Sequence, residues 1–111
     1  MKYIVLLFAL IGLSAPTFAG SDLKAKDLLS HSDCFNCHSV DHKIIGPAFK
    51  DIAKYYHGNQ ASAATINMLA AKIIKGGNGH WNAVTGGIAM SAHPQLSMAQ
   101  TTEMVKWVLA Q

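Results

Sequence analysis

At 111 residues the chain has room for one small domain, and its nine lysines, six acidic residues and lack of arginine leave a net charge of only +3. So mild a balance, with no basic run and no basic patch interleaved with aromatics, excludes a nucleic-acid binder. Six histidines and five methionines stand beside just two cysteines, so metal or redox chemistry has to be built from few residues.

The chain opens on Lys2 and an apolar run that ends at Leu13, then passes through small, turn-prone residues to Ala19. A charged start, an apolar middle and a small-residue exit predict a secretory leader over residues 1–19, cleaved after Ala19. An uncleaved anchor is the alternative, but the apolar run is shorter than the roughly 17–25 residues that span a bilayer. Export places the mature chain, residues 20–111, in the periplasm as a single domain with no membrane span. Domains of this size bury only about 60% of their unfolded surface and often rely on a staple or a cofactor.

A first helix is predicted over residues 22–30, with Leu23, Ala25, Leu28 and Leu29 as its apolar positions and Ser21 as its N-cap. It leads into Cys34-Phe35-Asn36-Cys37-His38, the attachment pattern of a c-type haem. Each thiol can add to one vinyl group of a porphyrin. The histidine directly after the second thioether is then held close enough to the iron to coordinate it. An exported chain with two cysteines also admits a disulfide, and a haem-free thiol–disulfide protein is the competing reading. The βαβ alternation of a thioredoxin-like scaffold is missing, however, and a zinc site would need two further ligands from scattered histidines.

Pro47 is expected in the first turn of a second helix, with Phe49, Ile52, Ala53 and Tyr56 on one face and Gly58 closing it. A third helix starts near Ser62, buries Ile66, Leu69, Ala70, Ile73 and Ile74, and ends at Gly76 after Lys72 and Lys75. Residues 76–94 carry five glycines and no helical period, which predicts a long functional loop passing close to a flat ligand. The last helix starts at Ser97, with Gln100 completing a capping box, and runs through Met104, Val105, Trp107 and Val108.

Met90 is the candidate second axial ligand, because a thioether is a soft donor and Met90 lies on the non-helical segment. Met68 and Met104 fall at core-like helical positions and Met98 in the first turn of the last helix, where methionine fills gaps. His31, His42, His57, His80 and His93 read as solvated or structural. His93, three residues beyond Met90, is the strongest rival for the sixth position.

The ordered set of first helix, Cys34-Phe35-Asn36-Cys37-His38, Ile45-Gly46-Pro47, Met90 loop and last helix with Trp107 resembles the class I cytochromes c of short bacterial monohaem type. The resemblance covers essentially all of residues 20–111. It implies an all-α fold of four to five helices wrapped around one haem c, covalently attached through Cys34 and Cys37. By the same resemblance His38 and Met90 are the axial ligands. The Pro47 carbonyl accepts from the other His38 nitrogen, Trp81 donates to a haem propionate, and Trp107 packs where first and last helices cross. Ala89 and Ser91 flank Met90 where such proteins often carry proline, and Pro94 comes later.

The implied function is one-electron transfer between respiratory redox partners and not catalysis, since iron bound on both sides offers a substrate no open position. Lys43, Lys50, Lys54, Lys72 and Lys75 suggest transient encounters of a monomer with acidic partners. A haem enzyme or gas-binding sensor with a displaceable sixth ligand is the alternative.

Overall fold

The computed structural model describes Gly12 and residues 19–111, so the expected leader lies outside the described residues apart from Gly12 and Ala19. Among the described residues there are six α-helices and no strand. They are α1 (Ala19–His31), α2 (Cys34–Cys37), α3 (Phe49–Tyr55), α4 (Ala63–Lys75), α5 (Asn82–Thr85) and α6 (Met98–Leu109). The four longer helices are the four read from the sequence, and α2 and α5 are single turns. No described helix is long and apolar enough to cross a membrane.

α6 organises the packing, since α1, α3 and α4 all lie against it. Its buried stripe of Thr101, Met104, Val105, Val108 and Leu109 follows the i, i+3, i+4 spacing of one helix face. Met104 and Val108 join Leu29 of α1, Phe49 of α3, Leu96 and Cys34 in one cluster. Val105 and Leu109 join Ala70 of α4, with Ile66, Leu69 and Tyr56 alongside. Ser97 starts the helix with both bonds of the capping box, Gln100 N–H to Ser97 Oγ at 3.1 Å and Ser97 N–H to Gln100 Oε1 at 2.9 Å.

Several boundaries differ from expectation. Backbone helicity begins at Ala19, so Ser21 stands inside α1 and not at its cap. Pro47 lies two residues before α3, not in its first turn, and Ala48 is the N-cap. The first free N–H groups of α3 find backbone partners instead of a side-chain cap: Phe49 N–H donates to Ser39 and Lys50 N–H to Val40. At the far end Tyr56 is the C-cap and His57 adopts the left-handed conformation, ahead of a 3-10 turn at Gly58–Gln60. Met68 is 51% exposed and not a core residue.

Residues 76–94 are more ordered than a plain loop. Gly77 and Met90 exchange both backbone hydrogen bonds, at 2.8 and 2.9 Å, forming an isolated antiparallel bridge. Asn78 Nδ2 donates to Gly87 O, Gly79 N–H donates to Asn82 Oδ1, and α5 fills the middle. Gly76, at φ 66°, ends α4, and a Cβ there would lie 2.5 Å from the Met90 carbonyl oxygen. Only glycine allows the returning strand so close.

A haem-binding cavity between the cysteine turn and the methionine segment

One cavity of about 620 Å3, with predominantly apolar walls, brings the six expected site residues together: Cys34, Cys37, His38, Pro47, Trp81 and Met90. Its size falls within the roughly 300–1,000 Å3 of sites that take cofactor-sized ligands. Cys34 and Cys37 stand at i and i+3 on the single turn of α2, which puts both thiols on one side of the backbone. No disulfide joins them. Cys34 is buried, and burial pushes its thiol up to about 11.

His38 follows directly in extended conformation and is turned back by the segment it precedes. Ile45 and Gly46 N–H groups both donate to Cys37 O, at 3.2 and 2.7 Å, closing a tight excursion. That closure brings the Pro47 carbonyl oxygen to 2.7 Å from His38 Nδ1. A carbonyl only accepts, so Nδ1 carries the proton and the lone pair of the neutral ring is on Nε2. Burial pushes the His38 imidazole below the usual histidine range, and the Pro47 carbonyl partly opposes this. Burial favours the neutral form, and the Pro47 carbonyl orients the ring.

The ring is held on its other faces as well. Phe49 stacks on it with centroids 5.1 Å apart and planes 18° from parallel. Phe49 in turn meets Phe35 and Trp107 edge to face, at 5.8 and 5.9 Å. Gly46 is pressed against the imidazole, for a Cβ there would stand 2.5 Å from His38 Cε1. Trp107 therefore supports the histidine through Phe49, a link that residue pattern alone does not reveal.

Met90 also lines the cavity and is fixed by its backbone bridge to Gly77. Met68 lines the same cavity from α4, a placement the sequence reading missed. Trp81 is half-buried at the start of α5. It meets Tyr55 at 5.6 Å and His80 at 5.3 Å, and Tyr55 and His80 are themselves 4.3 Å apart. This aromatic group also escaped the sequence reading, since its members come from α3 and the glycine-rich segment. His93 has both ring nitrogens on carbonyl oxygens, Nε2 on Ser32 and Nδ1 on Ile73.

The donor set fits an iron porphyrin. Two thiols from one helical turn, an imidazole whose Nε2 is not hydrogen-bonded, and the thioether of Met90 all line the one cavity. The apolar walls suit a flat macrocycle.

Comparison with known proteins agrees. The cytochrome c family model matches residues 23–111. Cytochrome c-551 of Allochromatium vinosum is 36% identical over 99 residues, covering 89% of this chain and 98% of that protein. Cytochrome c-552 of Hydrogenobacter thermophilus is 35% identical over 106 residues, covering 95% and 94%. Among solved structures, wild-type cytochrome c552 of Nitrosomonas europaea superposes with a TM-score of 0.61 at 38% identity, over 76% of this chain and 95% of that one. With the family model spanning most of the chain and the cavity supplying its thiols and imidazole, the chain belongs to the cytochrome c family, among the small bacterial c-type cytochromes that carry a covalently attached haem c.

Proposed function

We propose that this cytochrome is a periplasmic one-electron carrier, with its haem fastened through Cys34 and Cys37 and its iron held between His38 and Met90. The observation that carries the reading is one cavity lined by Cys34, Cys37, a Pro47-oriented His38 and Met90 together. The bound haem supplies a single-electron ferric–ferrous couple, and a methionine partner to histidine raises its potential.

The chain's own residues do the rest. Pro47 fixes the histidine tautomer, and Phe49 and Gly46 fix its plane. Trp81, the only indole lining the cavity, is the donor to a propionate. With both axial positions filled by side chains on anchored segments, no position is open for a substrate, which favours a carrier over an enzyme. Residues 1–19 serve as the export leader, and residues 20–111 act as a monomer in solution.

Lysines near the site support brief docking to acidic redox partners. Lys50 is paired with the Asp41 carboxylate, whereas Lys72 donates to the neutral Asn78 carbonyl and keeps its charge, so Lys43, Lys54, Lys72 and Lys75 carry the steering charge. The test is a redox titration of protein matured in the periplasm, combined with stopped-flow oxidation across a salt series. A single reversible one-electron step and rates that fall with ionic strength are expected. Catalytic turnover of peroxide, or tight binding of a small gas that displaces the methionine, would favour an enzyme or a sensor.

A further inference from the structure

His93 sits between the ends of two helices. The last four carbonyls of α4 have no partner within the helix, and His93 takes two of them. Its backbone N–H donates to Ile74 O at 3.0 Å, and its ring Nδ1 lies 3.3 Å from Ile73 O. Its Nε2 lies 2.8 Å from Ser32 O, just past the C-terminus of α1 and 61 positions away in the chain. Ser32 is buried, and Asp33 after it is held at φ 61°, a left-handed conformation that a non-glycine residue seldom adopts. A conformation of that cost persists only where its surroundings impose it. Here the strained junction coincides with the peptide carbonyl that meets His93.

Both ring nitrogens thus face acceptors. A neutral imidazole has one N–H and donates to one of the two carbonyls, whereas an imidazolium donates to both. The two carbonyls also belong to the negative ends of two helices, where a cation is favoured. Charged or titratable groups on the surrounding elements are few. From α1 and its junction come Asp27, His31 and Asp33, with His31 already bonded to Asp27. From α4 come Lys72, drawn to Asn78, and Lys75. Cys34 also approaches Ser32 O through its thiol, a contact that thioether formation removes.

We propose that His93 is a positioning residue for the sixth ligand: with its ring on Ser32 O and its backbone N–H on Ile74 O, it clamps the segment carrying Met90 to the ends of α1 and α4. The inference rests on Met90 being that ligand. Met90 is then held on both sides, by the Gly77 bridge at its own backbone and by His93 three residues on. In the holoprotein the clamp keeps the thioether at the iron and sets how readily an added ligand replaces it.

The test uses ferric holoprotein and imidazole as the displacing probe, following the methionine–iron charge-transfer band. Losing the ring hydrogen bond should let His93→Ala bind imidazole about fivefold more tightly, with His93→Gln, which keeps one donor, in between. A ferrous-state NMR spectrum of the wild type should show a His93 ring N–H protected from exchange with water, a readout independent of how the variants fold. If the wild type shows the band but the variants match its imidazole affinity within twofold, the clamp is wrong and the ligand reading stands. If the wild type lacks the band, the ligand reading fails and the clamp fails with it.

Discussion

His38 Nδ1 lies 2.7 Å from the carbonyl oxygen of Pro47, and Gly46 between them leaves no room for a side chain beside the ring. The one contact fixes which nitrogen keeps the proton, and the other fixes where the ring stands. Gly46→Ala should therefore act on the iron site through sterics alone. Its added Cβ would fall 2.5–2.9 Å from three ring atoms. Overpacking of this kind costs about 1–3 kcal/mol, so a lower urea midpoint and a perturbed low-spin spectrum are expected. An unchanged spectrum would mean that the ring has more freedom than the contacts allow.

Phe49 is the second support of His38 and the centre of the aromatic group that includes Phe35 and Trp107. It is 3% exposed. Removing a buried aromatic costs about 3–5 kcal/mol, so Phe49→Ala should unfold at much lower denaturant and loosen the histidine as well. Trp107→Ala should reproduce part of both effects, although Trp107 is absent from the cavity lining. Equilibrium unfolding followed at the haem Soret band measures each loss.

Asp41 and Lys50 form an exposed pair. The Lys50 ammonium, by hydrogen bond and then by charge, holds the Asp41 carboxyl below its ordinary 3.8. A native value below the unfolded one gives a contribution that is complete above 3.8 and fades as pH falls through the depressed native value. Because both groups are solvated, the effect on stability should be small and screened by salt. Carboxyl NMR titration should find Asp41 lower than in Lys50→Gln, and the gap should narrow at high ionic strength.

Ser97 and Ser62 cap the two helices that pack most extensively together, α6 and α4. Replacing such a cap by alanine costs about 1 kcal/mol. Ser97→Ala should cost more than Ser62→Ala, because it also breaks a reciprocal box at the start of the helix that three others pack against. Thermal unfolding of the two variants in parallel decides the order.

Much of this architecture can be read from residue order. Ser62 and Gly76 delimit α4 and Ser97 starts α6 because their caps are local hydrogen bonds between near neighbours. The cysteine motif and Met90 announce the cavity because haem attachment needs those residue types at fixed spacing. What escaped reading depends on distant partners. α3 starts at Phe49 after the N-cap Ala48, and not at Pro47, because Ser39 and Val40 supply the carbonyls that accept its first N–H groups. Met68 follows a core-like period, yet it lies on the cavity side of α4, which no local pattern separates from the core side. The order within residues 76–94 comes from the Gly77–Met90 bridge and the Asn78 and Asn82 side chains, long-range bonds that a glycine-rich composition conceals.

Two methionines line the cavity, Met68 from α4 and Met90 from the bridged segment. The most direct measurement of axial ligation is the optical spectrum of the ferric protein matured in the periplasm, taken for the wild type, Met90→Ala and Met68→Ala. With His38 and Met90 on the iron, the wild type and Met68→Ala show a low-spin spectrum with the methionine charge-transfer band, and Met90→Ala loses it. Retention of that band in Met90→Ala, or its loss in Met68→Ala, would contradict the assignment.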